Sequence, residues 1–408
     1  MKSKIRKILL ILIALLILID MLSIRVLNFF LEDPDPLFTK IFSAIHWGIS
    51  FIFMIIFFSW MLFPPDLKNP KTGRLLNFIS GFFVLLYFPK LLLVIFNAVD
   101  ELLFQTARFM TYEGDPFFVL TYGGIVISLL AFLALLYGIT IGRYDLRLRK
   151  QRLIFSSLPA AFDGFKIVHF SDLHTGSLPP SSSYPSRLVR KINALDPDLV
   201  VFTGDLINYS TDEAAPWHNT LKKIRARQGK YAVTGNHDYG NHTGWNTEEE
   251  RMYDQKKLRQ LYEKCGFTLL ENQSVDITQT NSSIALTGVN NHGLSPFPQL
   301  GNLSKAMEDA RDKGFHILLS HDPSHWEAEV KGKTKIGLTL SGHTHGFQFG
   351  IHMPGFKWSP VQYMYPQWLG LYTHLNQYLY VSAGCGTIGF PGRTGIPPEI
   401  TQITLQTK

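Results

Sequence analysis

The sequence predicts a four-helix transmembrane N-terminal region followed by an α/β domain with its sheets between helix layers, an α/β/β/α sandwich. Two observations predict this fold class. Residues 1–142 contain four long apolar stretches, and residues 143–408 alternate between strand-like and helix-like segments. We therefore divide the chain into a membrane domain at residues 1–150 and a second domain at 151–408, which is long enough to bury its own core.

The four apolar stretches are each long enough to cross a bilayer as a helix, which takes roughly 20 residues. We place these spans at residues 8–30, 41–63, 75–99 and 117–141. A cleaved signal peptide is the alternative for the first stretch, but no small-residue cleavage site follows it and three further spans come after it. The prediction is a multi-pass membrane protein in contact with the lipid bilayer.

Charged residues between the spans predict the orientation. The segment before span one, the connection of spans two and three, and the segment after span four carry Lys2, Lys4, Arg6, Lys7, Lys68, Lys71, Arg74, Arg143, Arg147, Arg149, Lys150 and Arg152. The two other connections carry only Lys40 and Arg108 among Glu32, Asp33, Asp35, Asp100, Glu101, Glu113 and Asp115. Because basic residues stay on the cytoplasmic side, we expect an inner-membrane protein whose N-terminus and second domain are cytoplasmic.

Two ionisable residues lie inside the spans, Asp20 in span one and Lys90 in span three. At about 1.5 Å per helical residue they lie at similar depths in the bilayer. An unpaired charge is costly there, so we hypothesise that they form an ion pair. Arg25 in place of Lys90, or a Lys90 side chain extended toward the membrane surface, are the alternatives.

The net charge of +7 raises nucleic-acid binding as a possible function. Much of the excess, however, flanks the apolar stretches, and no basic face with interleaved aromatic residues stands out in the second domain. We therefore expect no nucleic-acid partner. The two cysteines, Cys265 and Cys385, are far apart and form no CxxC pair, so neither a disulfide framework nor a thiolate zinc site is indicated.

Polar clusters follow five predicted strands of the second domain, which begins with a predicted linker at residues 153–163. The strands lie at residues 165–170, 198–202, 230–233, 315–319 and 336–340. In open α/β sheets, ligands bind at the carboxyl ends of strands, so clusters far apart in sequence can converge. The convergent set is Asp172, His174, Asp205, Asn236, His237, His321, His343 and His345.

Carboxylate, imidazole and amide groups together suit first-row divalent ions such as Mn, Fe, Zn or Ni. Without His237 the set holds seven ligands, which are too many for one ion that keeps an open position. They suit two ions roughly 3.5–4 Å apart, bridged by a carboxylate, an arrangement that clamps phosphoryl oxygens. The pattern therefore predicts two divalent metal cofactors.

These residues resemble a known family. The motifs Asp172-Leu173-His174, Gly204-Asp205, Gly235-Asn236-His237-Asp238, His321 and Gly342-His343-Thr344-His345 resemble, in order and approximate spacing, those of the calcineurin-like metallophosphoesterases. The resemblance covers essentially all of residues 164–408. The ending at residues 379–400 resembles a bacterial membrane-associated branch of that superfamily.

The resemblance implies a role for each residue. Asp205 would bridge two metals, one held by Asp172, His174 and His345 and the other by Asn236, His321 and His343. A water activated by the ions would attack phosphorus. His237 would protonate the leaving oxygen or orient the phosphate, with Asp238 orienting its ring.

Two further features have alternative interpretations. Arg393 is a candidate contact for the substrate phosphate, since arginine suits bidentate phosphate binding, or it is a surface arginine. Residues 346–370 are rich in aromatic residues, and related proteins more often carry a second Gly where Phe347 stands. This segment is either a loop folded on its own aromatic core or an apolar lip for a lipid or other hydrophobic substrate. His169 is expected to be structural, and His242, His292, His316, His325 and His352 carry no spacing signal.

The predicted function is hydrolysis of a phosphate ester or pyrophosphate. The membrane tether favours a lipid-linked substrate, such as a nucleotide-activated lipid precursor. Soluble phosphodiesters such as cyclic nucleotides are the alternative substrates. A membrane sensor or scaffold with a vestigial hydrolase is the alternative function, but the complete ligand set argues against it. The sequence predicts no oligomeric state.

Overall fold

The computed structural model describes residues 2–30, 35–310 and 312–408. Glu32 and Asp33, which we expect in the first outer connection, lie outside the described residues. The fold divides into two compact units. The first unit comprises Met1–Asp66 and Phe78–Tyr137, and the second comprises Leu67–Asn77 and Gly138–Lys408.

The apolar stretches form four long helices: α1 at Lys2–Phe30, α2 at Pro36–Leu62, α3 at Pro70–Phe109 and α4 at Val119–Thr140. All four are long and apolar enough to cross a membrane, which confirms the four predicted helices. Helix α3 is longer than its predicted span at residues 75–99. It begins at Pro70, because proline is well suited to a first helical turn, where its missing N–H is not needed.

Asp20 is fully buried within the first unit. The Nζ atom of Lys90 lies 2.6 Å from its Oδ1 atom, which confirms the predicted ion pair. The hydroxyl groups of Ser50 and Tyr87 donate to its Oδ2 atom at 2.5 and 2.7 Å. The carboxylate therefore has a cationic partner and two further donors, which compensate its transfer out of water.

Among its described residues, the second unit contains fourteen strands and, after α4, four α-helices. In chain order they are β1 (Arg147–Phe155), β2 (Lys166–Phe170), α5 (Tyr184–Ala194), β3 (Leu199–Phe202), α6 (His218–Leu221), β4 (Lys230–Ala232), α7 (Glu248–Lys264), β5 (Thr268–Leu269), β6 (Gln273–Gln279), β7 (Ser282–Gly288), α8 (Leu303–Ala306), β8 (His316–Leu319), β9 (Ile336–Ser341), β10 (Ile351–Met353), β11 (Phe356–Trp358), β12 (Gly370–His374), β13 (Gln377–Val381) and β14 (Glu399–Thr407). Two of the sheets have six strands each.

The first sheet has the order β1-β14-β2-β3-β4-β5 and the second the order β12-β13-β9-β8-β7-β6. Strands β2, β3 and β4 are parallel, as are β7, β8 and β9. Apolar residues of both sheets pack into one core between them. The outer face of the first sheet packs on α5 and α7, and that of the second on α8 and neighbouring turns. This is the predicted α/β/β/α sandwich.

Strand β1 differs from the sequence prediction. It pairs in parallel with β14, so the predicted domain boundary at residue 150 falls inside a strand, and the predicted linker at 153–163 is wrong in its first part. Leu153 and Phe155 are buried, whereas the basic residues of the strand lie at exposed or half-buried positions. Most of the basic run is therefore an edge strand, where charged side chains prevent further pairing.

Candidate metal centre

The predicted ligands lie where parallel strands end. Asp172 and His174 follow β2, Asp205 follows β3, His321 follows β8 and His343 follows the end of β9. Five of the ligands have positive φ angles between 43° and 72°: Asp172, His174, Asp205, His343 and His345. A left-handed conformation is uncommon outside glycine and costs free energy, so such residues cluster at functional sites.

Two glycines of the motifs allow the ligand loops to approach each other closely. A Cβ atom on Gly342 would lie 2.2 Å from an Oδ2 atom of Asp172 and 2.0 Å from the hydroxyl of Ser171. A Cβ atom on Gly235 would lie 2.2 Å from Oδ1 of Asp205. All three distances are far below van der Waals contact, so any larger residue at either glycine would displace a carboxylate of the predicted ligand set.

Asp172, His174 and His345 form one cluster with Asp205. The Nε2 atoms of His174 and His345 are 3.1 Å apart. His345 Nε2 lies 3.3 Å from Asp172 Oδ1, and His174 Nε2 lies 3.5 Å from Asp205 Oδ2. All four residues are buried.

Asp205 also belongs to a second cluster, with His321 and His343. Its Oδ2 atom lies 3.3 Å from His321 Nε2. Asn236 completes this cluster, because its Oδ1 atom lies 3.2 Å from His321 Nε2 and 2.8 Å from His343 Nδ1. The structure therefore brings all seven predicted ligands together, with Asp205 shared between the two groups.

The spacing of these atoms fits divalent cations. Ligand atoms bonded at roughly 2.0–2.2 Å to one ion lie about 3–3.5 Å from each other. The separations of 3.1, 3.3 and 3.5 Å in the first cluster lie in this range. Two carboxylates, an amide oxygen and four imidazoles, without a thiolate, also match the ligand preferences of first-row divalent ions.

The electrostatics of the aspartates support the same conclusion. Burial acts to raise the pKa of Asp205, but the imidazoles of His321 and His237 outweigh it and hold the pKa well below its usual value. Burial likewise opposes ionisation of Asp172, and His345 nevertheless lowers the pKa of this carboxyl group. Both residues are therefore carboxylates at neutral pH, which is the form that binds cations.

Two of the histidines are held by groups outside the ligand set. His321 Nδ1 lies 2.6 Å from the carbonyl oxygen of Thr203, so Nδ1 carries a hydrogen and Nε2 is the nitrogen that faces the site. His343 Nε2 lies 2.8 Å from the hydroxyl of Tyr365, which leaves Nδ1 toward Asn236. Such outer partners fix the ring orientation of metal-binding histidines. Tyr365 lies 22 residues after His343, and no spacing signal in the sequence indicates this contact.

The prediction that Asp238 orients the His237 ring is wrong, because the Asp238 side chain makes other contacts. The Asp238 carboxylate accepts hydrogen bonds from the backbone N–H groups of Asp205, Leu206 and Gly235 at 2.9, 3.0 and 3.0 Å. Burial and the neighbouring Asp205 raise the pKa of Asp238 to about 7. The prediction is corrected because adjacent side chains of a tight turn point in different directions. Asp238 fixes the backbone that carries the shared aspartate.

His237 is oriented by a backbone carbonyl instead. Its Nδ1 atom lies 2.9 Å from the oxygen of Asn208, and its own N–H donates to Asp205 Oδ1 at 2.8 Å. Its ring centre lies 5.1 Å from that of His174, so His237 stands beside the first ligand cluster. The ring of His242 stacks on it at 4.2 Å, and burial lowers the pKa of His242 to about 4. No spacing pattern in the sequence indicates that His242 lies beside His237.

Arg393 is buried, at 1% exposure, so the surface-arginine alternative is wrong. Its Nε atom donates to the carbonyl oxygen of Gly386 at 2.8 Å. Its Nη2 atom lies 3.2 Å from Nδ1 of His345. Its guanidinium group therefore contacts a backbone carbonyl and a predicted ligand histidine inside the protein. His169 is structural as expected, since it is buried and its Nε2 atom lies 2.8 Å from the hydroxyl of Thr203.

The aromatic segment at residues 346–370 contains both buried and exposed apolar side chains. Val361, Tyr365, Trp368 and Leu369 are buried in a small core that also includes Ala383 and Ile396. The large apolar side chains that are exposed in the same segment are Phe347, Ile351, Met353, Phe356, Tyr363 and Met364. Phe347 has a φ angle of 58°, a conformation that glycine adopts without strain and other residues rarely adopt.

Comparison with known proteins agrees with this geometry. The profile of the family described as "Calcineurin-like phosphoesterase" matches residues 165–347. A second profile, "Probable Calcineurin-like phosphoesterase, transmembrane domain", matches residues 5–143. The two matches cover the apolar helices and most of the sandwich.

Individual relatives carry corresponding names. A Danio rerio protein, "Transmembrane protein with metallophosphoesterase domain", is 28% identical over 355 residues, which are 85% of this chain and 76% of the relative. A Bacillus subtilis protein, "Uncharacterized metallophosphoesterase YkuE", is 32% identical over 259 residues, which are 62% of this chain and 82% of the relative. With this identity across most of a metallophosphoesterase, the chain belongs to the calcineurin-like metallophosphoesterases and is a membrane-spanning phosphoric ester hydrolase of that family.

Proposed function

We propose that this protein hydrolyses a phosphate ester or pyrophosphate bond of a lipid-linked substrate at the cytoplasmic face of the inner membrane. The observation that carries the proposal is the position of Asp205, whose carboxylate belongs to both ligand clusters. Asp172, His174 and His345 would hold one divalent ion with it. Asn236, His321 and His343 would hold the other.

Bound in these clusters, two divalent ions would neutralise phosphoryl oxygens and lower the pKa of the attacking water. The protein residues supply the remaining parts of the reaction. The ligand carboxylates are placed by strand ends and by the backbone contacts of Asp238, so little rearrangement is needed when substrate binds. Mn, Fe, Zn and Ni all suit this ligand set.

His237 is the proposed acid for the leaving oxygen. A carbonyl oxygen can only accept, so the contact with Asn208 places a hydrogen on Nδ1. In the doubly protonated ring, Nε2 is therefore the nitrogen that would give its proton to the departing oxygen, which leaves a neutral imidazole. Proton transfer of this kind contributes about 10²–10⁴-fold to a rate.

The orientation and the lipid-linked substrate rest on the membrane half. Basic residues concentrate on one set of connections, which favours a cytoplasmic hydrolase domain. Four apolar helices would tether the hydrolase domain to a bilayer, where a nucleotide-activated lipid is a fitting substrate. Soluble phosphodiesters are the competing substrates. Protease added to sealed right-side-out and inside-out vesicles tests the orientation, since only the inside-out preparation should lose the hydrolase domain.

The central test compares wild type with Asp205→Asn in metal content and hydrolysis. We expect wild type to bind two ions per chain and to cleave bis(p-nitrophenyl) phosphate, and the variant to lose both properties. Asp254→Asn is the matched control, because Asp254 is also a buried carboxylate but binds the backbone of Thr211. A metal-loaded wild type that cleaves neither soluble nor lipid-linked esters would favour the sensor or scaffold instead.

A further inference from the structure

Strands β10 and β11 form a small hairpin that begins six residues after His345. They pair so that Ile351 faces Trp358 and Met353 faces Phe356, which places these four residues on one face. Ile351, Met353 and Phe356 are 43%, 57% and 52% exposed. We call these three side chains the apolar lip.

The opposite face of the hairpin carries polar residues, and these are tied to the domain. His352 Nδ1 lies 3.1 Å from Nη2 of Arg149. Lys357 Nζ donates to the carbonyl oxygen of Leu369 at 2.6 Å and to the hydroxyl of Tyr372 at 2.9 Å. The hairpin thus turns polar residues inward and apolar residues outward, the reverse of a hairpin that faces water.

The sequence around the lip carries very little charge. Between residues 346 and 370 there is no Asp or Glu, and Lys357 is the single Lys or Arg. Phe347, Tyr363 and Met364 of the same segment are exposed as well. An uncharged apolar surface with aromatic residues beside it is typical of segments that lie in the membrane interface.

Backbone hydrogen bonds connect the hairpin to the end of α4 within the second unit. Gly350 N–H donates to Thr394 O at 3.0 Å, and Arg393 N–H donates to Gly138 O at 3.1 Å. Gly138 belongs to the last turn of α4, inside the stretch Val119–Tyr144 that qualifies as a membrane span. A Cβ atom on Gly138 would lie 2.4 Å from Oγ1 of Thr394, so glycine is what permits this approach.

We propose that the apolar lip, which begins six residues after His345, inserts into the bilayer that α4 spans. The occupant is lipid because the lip is joined, through residues 393–394, to the end of a helix that is long and apolar enough to cross a bilayer. Insertion does not depend on hydrolysis. Delivery of a lipid-linked phosphate to the metals is the part that rests on the proposed function.

Insertion can be measured directly by fluorescence. Met353→Cys and Phe356→Cys would each be labelled with an environment-sensitive fluorophore in full-length protein reconstituted into phosphatidylglycerol vesicles. Native Cys265 and Cys385 are buried and do not compete for the label. Tyr253→Cys on α7 is the matched control, because Tyr253 is 67% exposed and lies in a charged helix.

We expect blue-shifted emission at positions 353 and 356 that spin-labelled lipids quench, and unquenched emission at position 253. Equal and weak quenching at all three positions overturns the proposal. Shielded emission at 353 that lipids do not quench, together with cross-linking of two chains through this position, would mean that a second copy covers the lip, which also overturns it.

A second measurement separates the lip from the proposed function. The triple change Ile351→Ser, Met353→Ser and Phe356→Ser should lower hydrolysis of CDP-diacylglycerol in vesicles relative to hydrolysis of bis(p-nitrophenyl) phosphate, through a higher KM. Lipid quenching in a protein that cleaves neither compound would retain the lip and reject the activity. An unchanged ratio in an active variant would reject the lip and retain the activity.

Discussion

Asp20 and Asp205 are both buried among polar groups, but the groups that surround the two carboxylates differ. Around Asp20, the ammonium group of Lys90 and two hydroxyl groups satisfy the carboxylate within the protein. Around Asp205, imidazole nitrogens and the amide oxygen of Asn236 converge at distances typical of shared ligation. A buried charge alone therefore does not indicate a functional site. Several lone pairs that converge on a position where one cation could bind them do indicate one.

Metal removal should have the largest effect, and it should act on the surroundings of Asp205 but not on those of Asp20. We expect chelation by EDTA to abolish hydrolysis and to lower the unfolding temperature of the hydrolase domain, because the ligand groups then lose the cations that stabilise them. The pair of Asp20 and Lys90 needs no metal, so the helical unit should unfold as before. Calorimetry with and without EDTA, followed by re-addition of Mn, measures both. Full activity in metal-free protein would contradict the comparison.

Replacement of His237 should affect the rate but not the ions. We expect His237→Gln to lower kcat by about 10²–10⁴-fold, because the leaving oxygen loses its proton donor. The metal content should stay unchanged, and esters with very acidic leaving groups should lose less. His218→Gln, in the same domain but outside the site, is the control. If the variant lost its metals, His237 would have to be counted among the ligands.

Asp238 should show the opposite behaviour. In wild type, the Asp238 carboxylate accepts hydrogen bonds from three backbone N–H groups. Asp238→Asn leaves one side-chain oxygen to accept from all three. We expect about 10–100-fold weaker metal binding, as for other residues that support ligands from outside, and excess metal should restore activity. Titration of activity against Mn concentration measures this. An activity loss that metal cannot restore would return Asp238 to a catalytic role.

The smallest effect should come from the membrane pair. We expect Asp20→Asn and Lys90→Met each to destabilise the helical unit by roughly 1–3 kcal/mol, since either change leaves a buried polar group without its partner. The double variant should lose less than the sum of the two. Unfolding in mixed detergent measures the coupling, and the metal content of the hydrolase domain is the internal control. Additive losses would show that the pair is not coupled.

Local sequence patterns were sufficient to predict the four long apolar helices and the seven side chains that converge in the two clusters. Long apolar runs need no distant partner to indicate a bilayer helix, and His or Asp directly after a strand indicates a site at its carboxyl end. Asp172 and His345 are therefore found together although 173 residues separate them.

The remaining features depend on directions that local sequence does not contain. The ring of His237 turns to the carbonyl oxygen of Asn208, and Asp238 turns to backbone N–H groups, because the turn after Asn236 sets both directions. His242 and Arg393 come near the ligands through loops that carry no repeating pattern. Strand β1 was mistaken for membrane-flanking charge because only Leu153 and Phe155 at its end show buried alternation.

The order of the first sheet has a consequence for biosynthesis. Strand β14 lies between β1 and β2, although 252 residues separate Arg147 from its partner Glu399. The sheet therefore cannot close until the ribosome has released residues 399–407, by which time α1 to α4 have long been available for insertion. Pairing over such a sequence separation is slow, so the first sheet of the nascent hydrolase stays incomplete until β14 pairs between β1 and β2.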